Sequence, residues 1–180
     1  ASVGLSQLSA TGTKSSSTFL RGDNTFASAG GDNTPAFEAY LSADQTGLTE
    51  NAFTKVQCDT EHFDTDNCYD NSTNYRFTPT VAGKYFVYGS VTCRAGNDNM
   101  ATAQTNIYKN GSLYKRNVLF TKSTTVVIER IAFLTSAVIE MNGSSDYVEL
   151  YGAISSVDGT RQFDNAAEST WFGAYKLIGV

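Results

Sequence analysis

The chain has 180 residues, of which 41% are hydrophobic, 12% aromatic and 17% charged, and its formal net charge is -5. That length supports one domain plus an arm, and the negative charge argues against non-specific nucleic-acid binding, which needs a basic surface. No apolar stretch is long enough to cross a membrane, so no membrane insertion is expected, and ten Tyr and eleven Phe beside only two Pro favour strands joined by turns.

Residues 1–34 are rich in Ser, Thr, Gly and Ala with isolated Leu and Phe, a pattern that suits an extended arm ordered by neighbouring chains. The first residues show neither the basic start nor the apolar stretch of an export signal, which fits a processed chain or a virion or intracellular product. A knob domain is expected over residues 35–180. Period-two or continuous apolar runs there predict strands at Ala36–Ser42, Phe53–Cys58, Asn74–Thr78, Lys84–Arg94, Ala101–Lys109, Ser112–Leu119, Thr124–Leu134, Ala137–Met141, Tyr147–Ser155 and Thr170–Ile178. Asn110-Gly111 is a two-residue hairpin signal, and Asn142-Gly143 is read as a second. About ten antiparallel strands at short spacing, with no capped 3.6-residue period, imply an all-β jelly-roll sandwich.

The last strand carries apolar residues on both faces. Trp171, Gly173, Tyr175 and Leu177 share one face and Phe172, Ala174, Lys176 and Ile178 the other, so both are expected to be covered, one by the core and one by a neighbouring chain. Tyr85, Tyr88, Trp171, Phe172 and Tyr175 are therefore the candidate residues for a trimer interface or the core, with a well-filled monomeric core as the alternative.

Several landmarks carry a family resemblance. Phe172-Gly173-Ala174-Tyr175-Lys176-Leu177 resembles the closing strand of the tumour-necrosis-factor-like fold. Phe63, Tyr69-Asp70, Phe77, Gly83-Lys84-Tyr85-Phe86, Ile107 to Gly111 and Tyr147-Val148-Glu149-Leu150 resemble, in order, landmarks of the complement globular head. Pro79 sits one place early and the loop Ser156–Ser169 is long for that family. The resemblance implies a jelly roll over residues 36–180 that trimerises through aromatic faces. Ser15 to Phe26 resembles a "TFLRGDGTW" segment frequent in bacteriophage tail-fibre and other virion proteins, which implies that the arm joins other virion or fibre proteins.

The remaining motifs point to little chemistry. Arg21-Gly22-Asp23 spells an integrin tripeptide but lies inside the fibre-like segment, where a structural turn is expected. Asp59, Glu61, His62, Asp64, Asp66 and Asp70 crowd one stretch. Asp64, Asp66 and Asp70 are the candidates for calcium, against a solvated acidic loop, and zinc through Cys58, His62 and Cys68 would lack a fourth ligand. Cys58 and Cys68 are a disulfide candidate, with three free cysteines the alternative; Cys93 alternates with apolar residues and is expected as a buried thiol. Asn71-Ser72-Thr73 and two Asn-Gly-Ser triplets match the glycosylation pattern, but turn chemistry is the better reading. His62 is the single histidine and no nucleophile elbow surrounds a serine, so no enzyme, no catalytic residue and no cofactor is expected. The loop Ser155–Ser169 is a candidate apical binding loop.

The expectation is a non-enzymatic virion or tail-fibre protein at the extracellular surface of the particle. Its trimeric knob would bind a host-surface glycan or protein. A capsid-decorating or fibre-connecting protein without a ligand, a secreted complement-head-like lectin and a depolymerase are the alternatives.

Overall fold

The computed structural model describes residues 9–16, 18–28, 31–96, 100–117, 119–123, 128–157 and 159–179. Two units divide the chain, residues 1–32 and 33–178. In the first, β1 (Thr18–Leu20) and β2 (Phe26–Ser28) pair as an antiparallel hairpin. The Arg21-Gly22-Asp23 tripeptide sits in its turn. There the Asp23 carboxylate accepts hydrogen bonds from the Thr25 hydroxyl at 2.6 Å and the Thr25 amide at 3.1 Å, an Asx motif that fixes a turn with its own side chain. Those bonds hold the Asp23 carboxyl below its ordinary range.

The larger unit is built from two mainly antiparallel sheets. The first contains β3 (Ala36–Tyr40), β4 (Gln45–Thr46), β6 (Thr60–Asp64), β9 (Gly83–Ala95), β13 (Arg130–Met141), β15 (Arg161–Phe163) and β16 (Trp171–Lys176). The second contains β5 (Thr54–Lys55), β7 (Tyr69–Asp70), β8 (Arg76–Phe77), β10 (Met100–Lys109), β11 (Ser112–Arg116), β12 (Phe120–Thr121) and β14 (Val148–Ser156). The long β9 pairs with β13 along one edge and with β16 and then β15 along the other. The closing strand β16 lies between β9 and β3, in the interior of its sheet, so its backbone is paired along both edges.

The core lies between the sheets, as expected for face-to-face packing. Phe37 is its hub. Its ring stacks on Tyr69 at 4.4 Å and Phe77 at 4.7 Å, both from the opposite sheet, and meets the edge of Phe172 at 5.1 Å. Tyr85 and Tyr69 are buried, and each satisfies its hydroxyl on a backbone carbonyl, Val81 and Cys58 respectively. Gly152 is required by packing: a Cβ there would stand 2.5 Å from the Phe163 ring, which fills the space above it.

Several expected elements change. β13 is one strand across Thr135 and Ser136, because those two residues pair with Gly89 and Tyr88; of the Thr124–Leu134 segment, residues 124–127 lie outside the described residues. Phe53–Cys58 shortens to Thr54–Lys55. Asn110-Gly111 forms the expected tight turn, with positive φ at both residues. Asn142-Gly143 is not a hairpin, since β13 and β14 belong to different sheets. The Asn142 carboxamide oxygen instead accepts the amides of Ser144, Ser145 and Asp146 and winds the loop around itself.

Candidate functional site

Pleating sorts each strand of the first sheet into a core face and an outward face. Tyr85 and Phe172, from the candidate interface-or-core set, fall on the core face and are fully buried. Tyr88, Trp171 and Tyr175 fall on the outward face, joined there by Phe86, and remain partly exposed. Three cross-strand rows run over this face: Tyr40–Trp171–Ser90–Leu134, Glu38–Gly173–Tyr88–Ser136 and Ala36–Tyr175–Phe86–Val138.

The rings form one cluster. Phe86 lies 5.7 Å from Tyr88 and 5.6 Å from Tyr175, and Tyr88 lies 5.5 Å from Trp171. Gly173 makes the cluster possible, because a Cβ at that position would approach Tyr88 Cζ to 2.6 Å. The Tyr88 hydroxyl donates to Glu38 at 3.0 Å. Burial and the adjacent Glu38 carboxylate push the Tyr88 phenol well above its ordinary range. Leu134 and Val138 extend the apolar surface toward the β13 edge, at 59% and 50% exposure.

Polar contacts frame this face. At one end the buried Asp164 carboxylate meets Arg130 at 2.8 Å, and Arg94 pairs with Glu129 at 2.8 Å. At one side His62 stacks on Tyr40 at 4.6 Å and reaches Glu168 at 3.3 Å. His62 thus packs against a ring and a carboxylate, not beside a nucleophile.

The acidic stretch is a set of loop acceptors. Asp64 accepts the Tyr69 amide at 2.8 Å, Asp66 accepts the Thr65 hydroxyl at 2.6 Å, and Asp70 accepts the amides of Ser72, Thr73 and Asn74. Those bonds, led by Thr73, drive the Asp70 carboxyl far below its ordinary range. No cluster of three or more metal-ligating side chains occurs among the described residues. Of the two readings of Cys58 and Cys68, pairing and free thiols, the structure carries the second: Cys58, Cys68 and Cys93 are all buried and unpaired. Cys68 Sγ turns to the Asp66 carbonyl at 3.6 Å instead.

The loop Ser155–Ser169, in which residue 158 lies outside the described residues, is partly built into the sheet. Arg161–Phe163 pairs with both β9 and β4, and Phe163 and Asp164 are buried. A cavity of about 390 Å³ opens at the other end of the sandwich, lined by Lys109, Glu140 and Asp146 among others. The Lys109 ammonium is already engaged by Asp146 at 2.9 Å and the Glu140 carbonyl at 2.7 Å.

No protein-family model and no curated protein sequence matches the chain. Among solved structures, the chain is similar to murine APRIL, crystallised at pH 5.0, with a TM-score of 0.56 and 10% identity, over 79% of this chain and 98% of that one. It is also similar to the Eiger TNF from S. frugiperda, with a TM-score of 0.50 and 12% identity, over 79% of this chain and 91% of that one. At such identities the likeness concerns the fold, which is a tumour-necrosis-factor-like jelly roll.

Proposed function

We propose that the chain is a non-enzymatic virion protein whose jelly roll assembles as a homotrimeric knob that adheres to the host surface. The observation that carries the assembly is the outward cluster of Phe86, Tyr88, Trp171 and Tyr175, with Leu134 and Val138 beside it. Those rings remain partly exposed on the outward face, and a closed cyclic assembly would cover them without leaving a sticky edge. Tyr and Trp supply wide contact area at low entropic cost. The virion setting rests on the arm segment Ser15 to Phe26, whose likeness to tail-fibre sequences would make it the link to other fibre proteins.

Adhesion through three copies raises avidity without strong individual contacts. The assembly is tested by the mass of the purified chain in solution, with three chains per particle expected and a stable monomer contrary to the reading. Adhesion is tested by competition, in which the isolated knob blocks adsorption of the particle to host cells. A trimer without competition favours the second reading, a capsid-decorating or fibre-connecting protein, which the arm supports equally.

A further inference from the structure

A second aromatic surface lies on the outer face of the second sheet. Tyr108 of β10 and Tyr151 of β14 stack with ring centroids 4.1 Å apart. Phe53, just before β5, approaches Tyr108 at 6.3 Å and is 40% exposed. The Arg116 guanidinium of β11 lies 5.7 Å from the centre of the Phe53 ring, within cation–π range.

Two features exceed what covering a sheet requires. Arg116 is exposed and has no carboxylate partner among the described residues. Asn106 shares this face with Tyr108 and lies cross-strand from Tyr151 and Arg116. It is fully buried, yet neither its amide nitrogen nor its carbonyl oxygen has a hydrogen-bond partner in the chain, and the buried Gln104 Oε1 beside it has none either. Each such group left unmet forfeits its solvation without a compensating bond, so native proteins leave few of them without water or ligand.

The geometry points to a saccharide-binding site on this face, built from Phe53, Tyr108, Tyr151 and Arg116 over the Gln104 and Asn106 carboxamides. It rests on the reading of the chain as an adhesive knob and names the ligand class and its place. The C–H face of a sugar ring packs on the electron-rich faces of aromatic rings. Sugar hydroxyls donate and accept, as carboxamides do, and reach these buried ones through a bridging water. The planar guanidinium fork of Arg116 fits a carboxylate, so acidic sugars bind better than neutral ones. Burial pushes the Tyr151 phenol up to about 12, which keeps it a neutral hydroxyl.

Titration calorimetry on the 180-residue chain tests this, with tetragalacturonate as the acidic probe and maltotetraose as the neutral one. Tetragalacturonate is expected to bind, with Kd at least tenfold weaker in Phe53→Ala and in Tyr108→Ala. Arg116→Gln is expected to bring it to the level of maltotetraose. Phe53 and Arg116 are exposed, and thermal melts of both variants confirm folding. No binding of either probe to the folded chain, or unchanged affinity in Phe53→Ala and Arg116→Gln, overturns the site. If the variants block particle adsorption as well as the parent chain does, the site falls and the adhesive knob stands. If tetragalacturonate binds as described and adsorption is not blocked, the site stands and the host-adhesion reading falls.

Discussion

The two sheets treat their solvent faces differently. On the second sheet, β5 pairs with β14, and its Lys55 ammonium meets the buried Glu149 carboxylate at 2.5 Å. Glu149, Ala153 and Ser155 are buried there by the chain itself. On the first sheet, the rings of Phe86, Tyr88, Trp171 and Tyr175 pack on one another and remain partly exposed. The outer face of one sheet holds a buried ion pair, and that of the other a cluster of partly exposed rings. Burial within a chain shows in its own stability; burial between chains shows in mass and concentration dependence.

The contrast can be broken most severely at the core shared by both sheets. Phe37→Ala removes the ring that joins Tyr69, Phe77 and Phe172 and is expected to cost about 3–5 kcal/mol, measured as a fall in denaturation midpoint. Glu149→Ala leaves Lys55 without its carboxylate; because Lys55 is partly exposed, about 1–3 kcal/mol is expected, at the low end of buried-pair losses. Gly173→Ala drives a methyl into Tyr88 and is expected to cost about 1–3 kcal/mol from overpacking, with Tyr88 displaced from Glu38. Leu134→Asp sits on an exposed site, so the fold is expected to change by about 0.5 kcal/mol or less. Its effect is on assembly: the mass is expected to fall to that of a single chain, and a trimer that survives this charge would place the interface elsewhere.

The smallest effect concerns acid. The Asp70 carboxyl is depressed in the folded chain by the turn amides it accepts. Its contribution is therefore whole above the unfolded value near 3.8 and is lost as pH falls below it. Asp70→Asn is expected to lower stability near neutral pH, where the contribution is whole, and to flatten the acid limb of a stability–pH curve below about pH 4, so that the two curves converge in acid.

Much of the architecture was legible because local and tertiary signals agree. Asn110-Gly111 sets a turn that both flanking strands obey, and the alternation from Gly83 to Ala95 matches a strand covered on one face by the core. Tyr85 and Phe172 could not be told from Tyr88 and Trp171 by type, since both sets are aromatic; only the register decides which face each occupies. Thr60–Asp64 reads as acidic loop in sequence because its charges hide a strand that pairs with β3. Phe53, Tyr108, Arg116 and Tyr151 come from four separate segments, so no window of sequence brings them together.

The three thiols make the core able to report its own opening. Cys58 and Cys93 are buried, and burial pushes the Cys93 thiol up to about 12 and the Cys58 thiol higher still. A thiolate is the reactive form, so Cys58 and Cys93 resist alkylating reagents while the chain is folded, and the rate at which they are labelled measures how often the space between the sheets admits solvent. Cys93 lies on β9, the strand that spans the first sheet, whereas Cys58 lies outside the strands, beside the short β5 and β6. Faster labelling of Cys58 than of Cys93 would show that the sandwich opens first at its short strands while its long one stays closed.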